Sequence, residues 1–133
     1  MDKNTPEHRM LYIKKILLVR SFFHHIFYSV YHDTQTYVDL SILSTAKALF
    51  ATTREPYEAT VLVDGLGRAE RRRYAAGLRS LNVAVRKVRG VKDESDEFIR
   101  LADAIAGFVR DALEGNETMG QIFKEAGNAV RKI

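Results

Sequence analysis

The apolar residues of this chain recur at helical spacing over most of its length. The clearest pattern lies within residues 90–114, where ten apolar side chains fill one half of a helical wheel. Thr5, Pro6 and Glu7 are typical of a helix N-terminus, because they supply a cap, a first-turn proline and an acid that favours the helix dipole. The pattern predicts helices near residues 6–18, 35–52, 68–81, 96–114 and 117–131.

Three shorter segments are predicted to be β-strands. Residues 22–31 are rich in aromatic and β-branched side chains. Residues 58–64 contain a short apolar run between turn signals, which we expect to be covered on both faces of a sheet. Apolar and polar residues alternate over residues 83–89, which predicts an outer strand with one face exposed to solvent. The order of elements predicts an α/β sandwich with parallel neighbours among the last strands.

Composition limits the class of protein. A chain of 133 residues with 46% apolar and 29% charged residues suits one soluble globular domain. It contains no cysteine, which excludes disulfides and thiolate metal sites. No apolar run approaches the ~20 residues of a membrane span, and the first ten residues lack the apolar core of a signal peptide. A cytoplasmic protein without membrane contact is therefore the expectation.

Positive charge is concentrated in residues 65–92. This window holds nine basic residues and one acid, Glu70, so it carries +8 while the whole chain carries +4. Phosphate backbones attract such a surface, which makes the arginines of the predicted third helix candidate nucleic-acid contacts. They are Arg68, Arg71, Arg72, Arg73 and Arg79. A solvated helix face explains the charge equally well, since Tyr74 is the one aromatic residue nearby that could stack on a base.

Histidines and acids supply the other candidate chemistry. His24 and His25 would point to opposite faces of a strand, which favours ordinary packing over a shared metal site. Asp103 falls just beyond the apolar half of its helix, and Gly107, one turn later, is expected to leave its carboxylate uncovered. By spacing alone, a solvated acid on a helix flank is the favoured interpretation of Asp103. Asp64 closes a predicted strand, where open α/β sheets bind their ligands.

Residues 95–110, SDEFIRLADAIAGFVR, resemble the C-terminal signature of a large family of uncharacterised microbial proteins with a ribonuclease H-like fold. That signature is (I/L)QxAD(L/I)(I/L)AG, and Arg100 stands where glutamine is usual. The family has a second acid at the end of a buried strand, and residues 57–65, YEATVLVDG, resemble that element with Asp64 in place. The resemblance covers most of residues 10–114 and implies a partial ribonuclease H-like sheet of about three strands flanked by helices.

The same resemblance implies a nuclease-like site. Carboxylates in such a site would hold Mg²⁺ or Mn²⁺ for phosphodiester cleavage. Asp64 and Asp103 are the implied catalytic and metal-binding residues, and Asp93 is a further candidate ligand. Complementarity to the helix dipole is the favoured interpretation of Asp93 and its neighbour Glu94, and Ser95 is expected to cap the helix.

The chain also departs from the family. Its members usually begin with an aspartate-bearing strand and a second strand, and neither is found here. We therefore expect residues 1–133 to form a single truncated domain, nuclease-like but weak or inactive alone. Three explanations fit the missing strands. A partner chain supplies the missing strand, the chain forms a homo-oligomer, or the chain is a degenerate remnant of the fold. The alternative is a non-catalytic module that binds nucleic acid, or one that binds proteins through exposed sheet edges.

Overall fold

The computed structural model describes residues 5–32, 36–91 and 96–133. The chain divides into two compact units, and the division falls within one helix. The terminal unit combines Met1–Tyr28 with Leu101–Lys132, and the central unit comprises Ser29–Arg100 with Ile133. Each unit joins helices to one short parallel sheet, so the predicted α/β class is confirmed.

The helices lie close to the predicted positions. Those in the described residues are α1 Pro6–Leu17, α2 Tyr37–Thr52, α3 Arg68–Ser80, α4 Glu97–Leu113 and α5 Glu117–Ala126. Capping side chains explain why the starts are readable from sequence. Thr5 Oγ1 accepts a hydrogen bond from the His8 backbone N–H at 3.2 Å. At α4, Asp96 Oδ1 accepts from the N–H groups of the second and third helical residues at 2.8 and 3.0 Å.

The strands differ more from the prediction. Those in the described residues are β1 Phe27–Tyr28, β2 Ala59–Asp64, β3 Val85–Val91 and β4 Arg131–Lys132. The strand predicted over residues 22–31 is therefore wrong apart from Phe27–Tyr28. The last predicted helix also ends early: Gly127, at φ 55°, follows α5 and opens a 3₁₀ turn that leads to β4. The expected sheet of about three strands is replaced by two separate parallel pairs, β1 with β4 and β2 with β3.

Residues 22–31 are mostly irregular. A 3₁₀ helix occupies Arg20–Phe22, and His24 adopts the left-handed backbone at φ 67°, which interrupts any regular strand. Phe22 and Tyr28 nevertheless pack against the core of the terminal unit. Aromatic and β-branched residues indicate a half-buried surface and not a fixed backbone conformation, which is why the sequence signal was misleading.

The core of the terminal unit is built from α1, α4 and α5. Phe108 is fully buried, and its ring centroid lies 5.9 Å from that of Phe123. The buried residues of this core are Ile13, Ile16, Ile105, Phe108, Val109, Met119, Ile122 and Val130. On α4 only part of the predicted apolar half is used, because Ala102, Ala106 and Leu113 are exposed.

In the central unit, α2 and α3 cover one face of the β2–β3 sheet. Val61 and Val63 of β2, with Val85 and Val88 of β3, pack against the buried cluster that these helices provide. The helical members of that cluster are Val38, Ile42, Ala46, Tyr74 and Leu78. The parallel pairing of β2 with β3 is as predicted for the last strands.

A one-residue bulge sets the register of this sheet. Ala59 pairs with Val85, whereas Thr60 pairs with Lys87, so Arg86 is the extra residue. Because strand side chains alternate between faces, the bulge allows both Val85 and Val88 to point toward the helices. It also places Lys87 and Arg89 on the opposite face.

We call that opposite face the bare face. It carries Thr60, Leu62 and Asp64 of β2 and Lys87, Arg89 and Val91 of β3. Only Leu62 and Val91 are half-buried, and the other four side chains are exposed. The prediction that the apolar run of β2 is covered on both faces is therefore wrong, although parallel sheets usually are so covered.

Gly90 allows the loop after β2 to cross close to β3. A Cβ atom at this position would lie 2.1 Å from the Leu66 carbonyl oxygen and 3.2 Å from the Leu66 Cβ. The obstacle is backbone and not the flexible end of a side chain. Any residue larger than glycine would therefore displace the connection between β2 and α3.

We predict that Gly90→Ala lowers the free energy of unfolding by about 2 to 3 kcal/mol, since overpacking against backbone forces the loop to move. Urea unfolding followed by circular dichroism measures this change. Gly120→Ala is the matched control, because its Cβ would meet only the Ala112 carbonyl oxygen at 3.9 Å. The control should raise stability by roughly 0.5 to 1 kcal/mol through helix propensity. Equal effects of the two variants would contradict the crowding at Gly90.

Candidate functional site

Asp64 lies at the carboxyl end of β2, as the sequence predicts. Its side chain is exposed and forms no hydrogen bond or ion pair with another described residue. Gly65 follows at φ 73°, and its N–H donates to the Val91 carbonyl oxygen at 3.0 Å. The turn therefore ends the strand with the Asp64 carboxylate accessible from solvent.

Asp103 lies on the exposed side of α4, also without a partner among the described residues. The space beside Gly107, however, is not open as expected. A Cβ atom there would lie 3.7 Å from Arg9 Nη2 and 3.9 Å from Arg110 Nη2. Arg9 belongs to α1, and a short ion pair with Asp111 of α4 holds it in place. Two guanidinium groups thus occupy the surface at Gly107, which disfavours a divalent cation there.

The expected cluster of acids stays a prediction. Asp64 belongs to the central unit and Asp103 to the terminal unit, and Asp93 lies outside the described residues, as do Glu94 and Ser95. Among the residues that the structure describes, no group of three or more histidine, aspartate or glutamate side chains could hold a metal ion.

The five arginines of α3 divide into three groups. Arg68, Arg72 and Arg79 are exposed and fall within about 40° of one another around the helix. We call these three the arginine row. Arg73 lies on another flank, where its Nη2 donates to Asp39 Oδ1 of α2 at 2.7 Å. Arg71 is half-buried, and its Nε is buried without a hydrogen-bond partner in the described residues.

Tyr74 is not available for base stacking, contrary to the interpretation from sequence. It is 1% exposed, and its hydroxyl is hydrogen-bonded to Ser41 Oγ at 2.8 Å and to Thr45 Oγ1 at 2.7 Å. The ring fills the space between α2 and α3, and the hydroxyl finds its partners on α2. The helical position of Tyr74, opposite the arginine row, would have indicated this burial.

In the sequence, the β3 cations belong to the basic window of residues 65–92, but no motif assigns them to a site. Lys87 and Arg89 share the bare face of the central unit, and Arg86 stands at the bulge with a long, exposed ion pair to Glu58 of 3.8 Å. The visible signal was the spacing of Val85 and Val88, which breaks the two-residue period of a strand and thereby indicates a bulge.

Comparison with known proteins gives no further assignment: no family model matches the chain, and searches of curated proteins and of solved structures found no match. Within the described residues, no helix has the length and apolar character required to cross a membrane.

The two acids of α4 should respond differently to neutralisation. We expect Asp111→Asn to lower the free energy of unfolding by about 0.5 to 1.5 kcal/mol, because the half-buried ion pair with Arg9 is lost. Asp103→Asn should change it by less than about 0.5 kcal/mol, as is usual for an exposed side chain without a partner. Chemical denaturation of both variants measures the difference, and a larger loss for Asp103→Asn would show that this acid has a structural partner.

Proposed function

We propose that the chain is a non-catalytic module that binds nucleic acid through the arginine row of α3. The observation that carries the proposal is the alignment of Arg68, Arg72 and Arg79, all exposed and none paired with an acid among the described residues. Guanidinium groups present several donors in a plane that fits phosphate oxygens. The resemblance of the chain to ribonuclease H-like proteins agrees with a polynucleotide as the ligand.

The geometry of α3 supports contact with a polynucleotide backbone. Eleven residues separate the first and last arginine of the row, a distance of about 17 Å along a helix. One strand of B-form DNA places about five phosphates over that length. Ala69 and Ala76 are exposed on the flank beside the row, so these two positions add only small side chains next to the arginines.

We do not expect a phosphate to bind at the N-terminus of α3. Glu70 Oε1 accepts a hydrogen bond from the Gly67 N–H at 3.4 Å, so a carboxylate already neutralises this end of the helix dipole. A phosphate placed there would meet the charge of Glu70. The binding surface is therefore assigned to the side of the helix and not to its end.

Catalysis would require several carboxylates around Mg²⁺ or Mn²⁺. The described residues do not form such a cage, and Asp64 stands without a second acid bonded to it. Asp64 and Asp103 each offer one carboxylate, which leaves the shell of a cation mostly water. Weak binding of Mg²⁺ or Mn²⁺ is what these acids support.

Replacing the arginine row should change the salt dependence of nucleic-acid binding. We expect Arg68→Ala, Arg72→Ala and Arg79→Ala together to reduce the slope of log affinity against log salt by roughly two to three units for duplex DNA. Fluorescence anisotropy with a labelled 20-base-pair duplex over a range of salt concentrations measures the slope.

The control variant removes the same charge elsewhere. Lys14→Ala, Lys15→Ala and Lys124→Ala together delete three exposed cations of the terminal unit, and this variant should retain most of the slope. Equal loss in both triple variants would indicate a response to net charge alone. An unchanged slope in the arginine variant would leave the row as solubilising charge and overturn the proposal.

We expect the purified chain to show no metal-dependent cleavage of DNA or RNA, because one or two carboxylates do not hold the metal ions that would stabilise the attacking and leaving oxygens. Incubation of labelled DNA and RNA with the protein and 5 to 10 mM Mg²⁺ or Mn²⁺, roughly the range that saturates weak carboxylate sites, tests this. Cleavage that disappears in Asp64→Asn would establish a nuclease and replace the binding proposal.

A further inference from the structure

The β2–β3 sheet of the central unit ends after two strands. In the described residues no third strand pairs with the outer edge of β3. A strand paired on one side only turns the N–H and C=O groups of alternate residues outward. β3 is seven residues long. The Val85 carbonyl oxygen accepts a hydrogen bond from Arg79 Nη2 at 3.4 Å, and the rest of the edge offers a template for one further extended segment.

The side chains along β3 differ between its two faces. On the bare face, Lys87 and Arg89 are exposed at neighbouring positions two residues apart. On the helix face, Val85 and Val88 are the corresponding residues, and both belong to the apolar cluster. Side chains of a strand added beside β3 would therefore alternate between the two faces. Those on the bare face would lie next to the cations, and those on the helix face would lie next to the valines.

We infer that the outer edge of β3 binds an extended peptide segment of a partner protein in which acidic residues alternate with β-branched apolar residues. The backbone of the segment pairs with the free edge of β3. Its acidic side chains lie beside Lys87 and Arg89, at the spacing of about 4.5 to 5.5 Å that separates cross-strand neighbours. Its apolar side chains extend the surface formed by Val85 and Val88. This inference does not depend on nucleic-acid binding by α3.

Two other occupants fit these observations less well. A single-stranded nucleic acid gains much of its affinity by stacking on aromatic rings, and the bare face carries no aromatic residue. A second copy of β3 would oppose Lys87 and Arg89 with like charges, which destabilise a cross-strand pair. An acidic peptide pairs its backbone with the edge of β3 and places negative side chains beside Lys87 and Arg89.

The experiment uses the full chain and a fluorescein-labelled peptide, Glu-Val-Glu-Val-Glu-Val-Glu, matched in length to β3. Anisotropy should show saturable binding of this peptide. A peptide of the same sequence, N-methylated at alternate residues on the edge that pairs, should bind at least about tenfold more weakly, since it cannot donate the strand hydrogen bonds. A peptide with lysine in place of glutamate should not bind.

Two double variants locate the site. Lys87→Glu with Arg89→Glu should weaken peptide binding by at least about tenfold, through like-charge repulsion. Arg68→Glu with Arg72→Glu changes the net charge by the same amount but lies on α3, on the helix side of the sheet, and should keep the peptide affinity within about threefold. The lysine peptide should bind the first variant and thereby show that this variant is folded.

Three results would overturn the inference. Equal binding of the N-methylated peptide to the unmodified protein would show attraction of charge without strand pairing. Loss of peptide binding in the α3 variant alone would move the site to the arginine row. Displacement of the peptide by a single-stranded oligonucleotide, combined with loss of oligonucleotide binding in the β3 variant, would identify the bare face as a nucleic-acid surface.

Discussion

The register between β2 and β3 determines which side chains of the central unit are buried and which are available to a ligand. If β3 were a regular strand through Arg86, simple alternation would place Val85 and Val88, three residues apart, on opposite faces. With the bulge at Arg86, both valines join the cluster beneath α2 and α3, and Lys87 and Arg89 share the bare face. The apolar core and the charged surface of this unit are therefore two results of one constraint.

Signals that act over a few residues made most of the helices predictable. Thr5 and Pro6 mark the start of α1, and the loop at Gly67 marks the start of α3. The strand prediction over residues 22–31 failed because aromatic side chains can reach a core from irregular segments as well as from a strand, as Phe22 does from its 3₁₀ helix. The close crossing of the loop over β3 could not be predicted, because the need for glycine at residue 90 arises from a loop more than twenty residues earlier in the chain.

The candidate site could be predicted only in part, because the sequence pattern shows local position but not contacts between distant residues. Exposure of Asp64 and Asp103 followed from local position, and both acids are exposed. The groups that surround them are not local: Arg9 reaches Gly107 from a helix nearly one hundred residues away in sequence. Likewise, Tyr74 is the one aromatic residue near the arginines in sequence, but its contacts with α2 place it in the core. A helical pattern shows which side of a helix is apolar, but the neighbour that covers it depends on the tertiary fold.

The placement of positive charge on α3 does not serve helix stability. Arg68 occupies the first turn, where a cation opposes the helix dipole, and it stands four residues from Arg72, a like-charge spacing that costs a helix a few tenths of a kcal/mol. Glu70 and the ion pair between Arg73 and Asp39 offset part of that repulsion, but neither neutralises the row. A phosphate backbone would remove the remaining repulsion when it binds. Stability alone would favour acids in this first turn, so the position of Arg68 agrees with the proposal of an anionic partner.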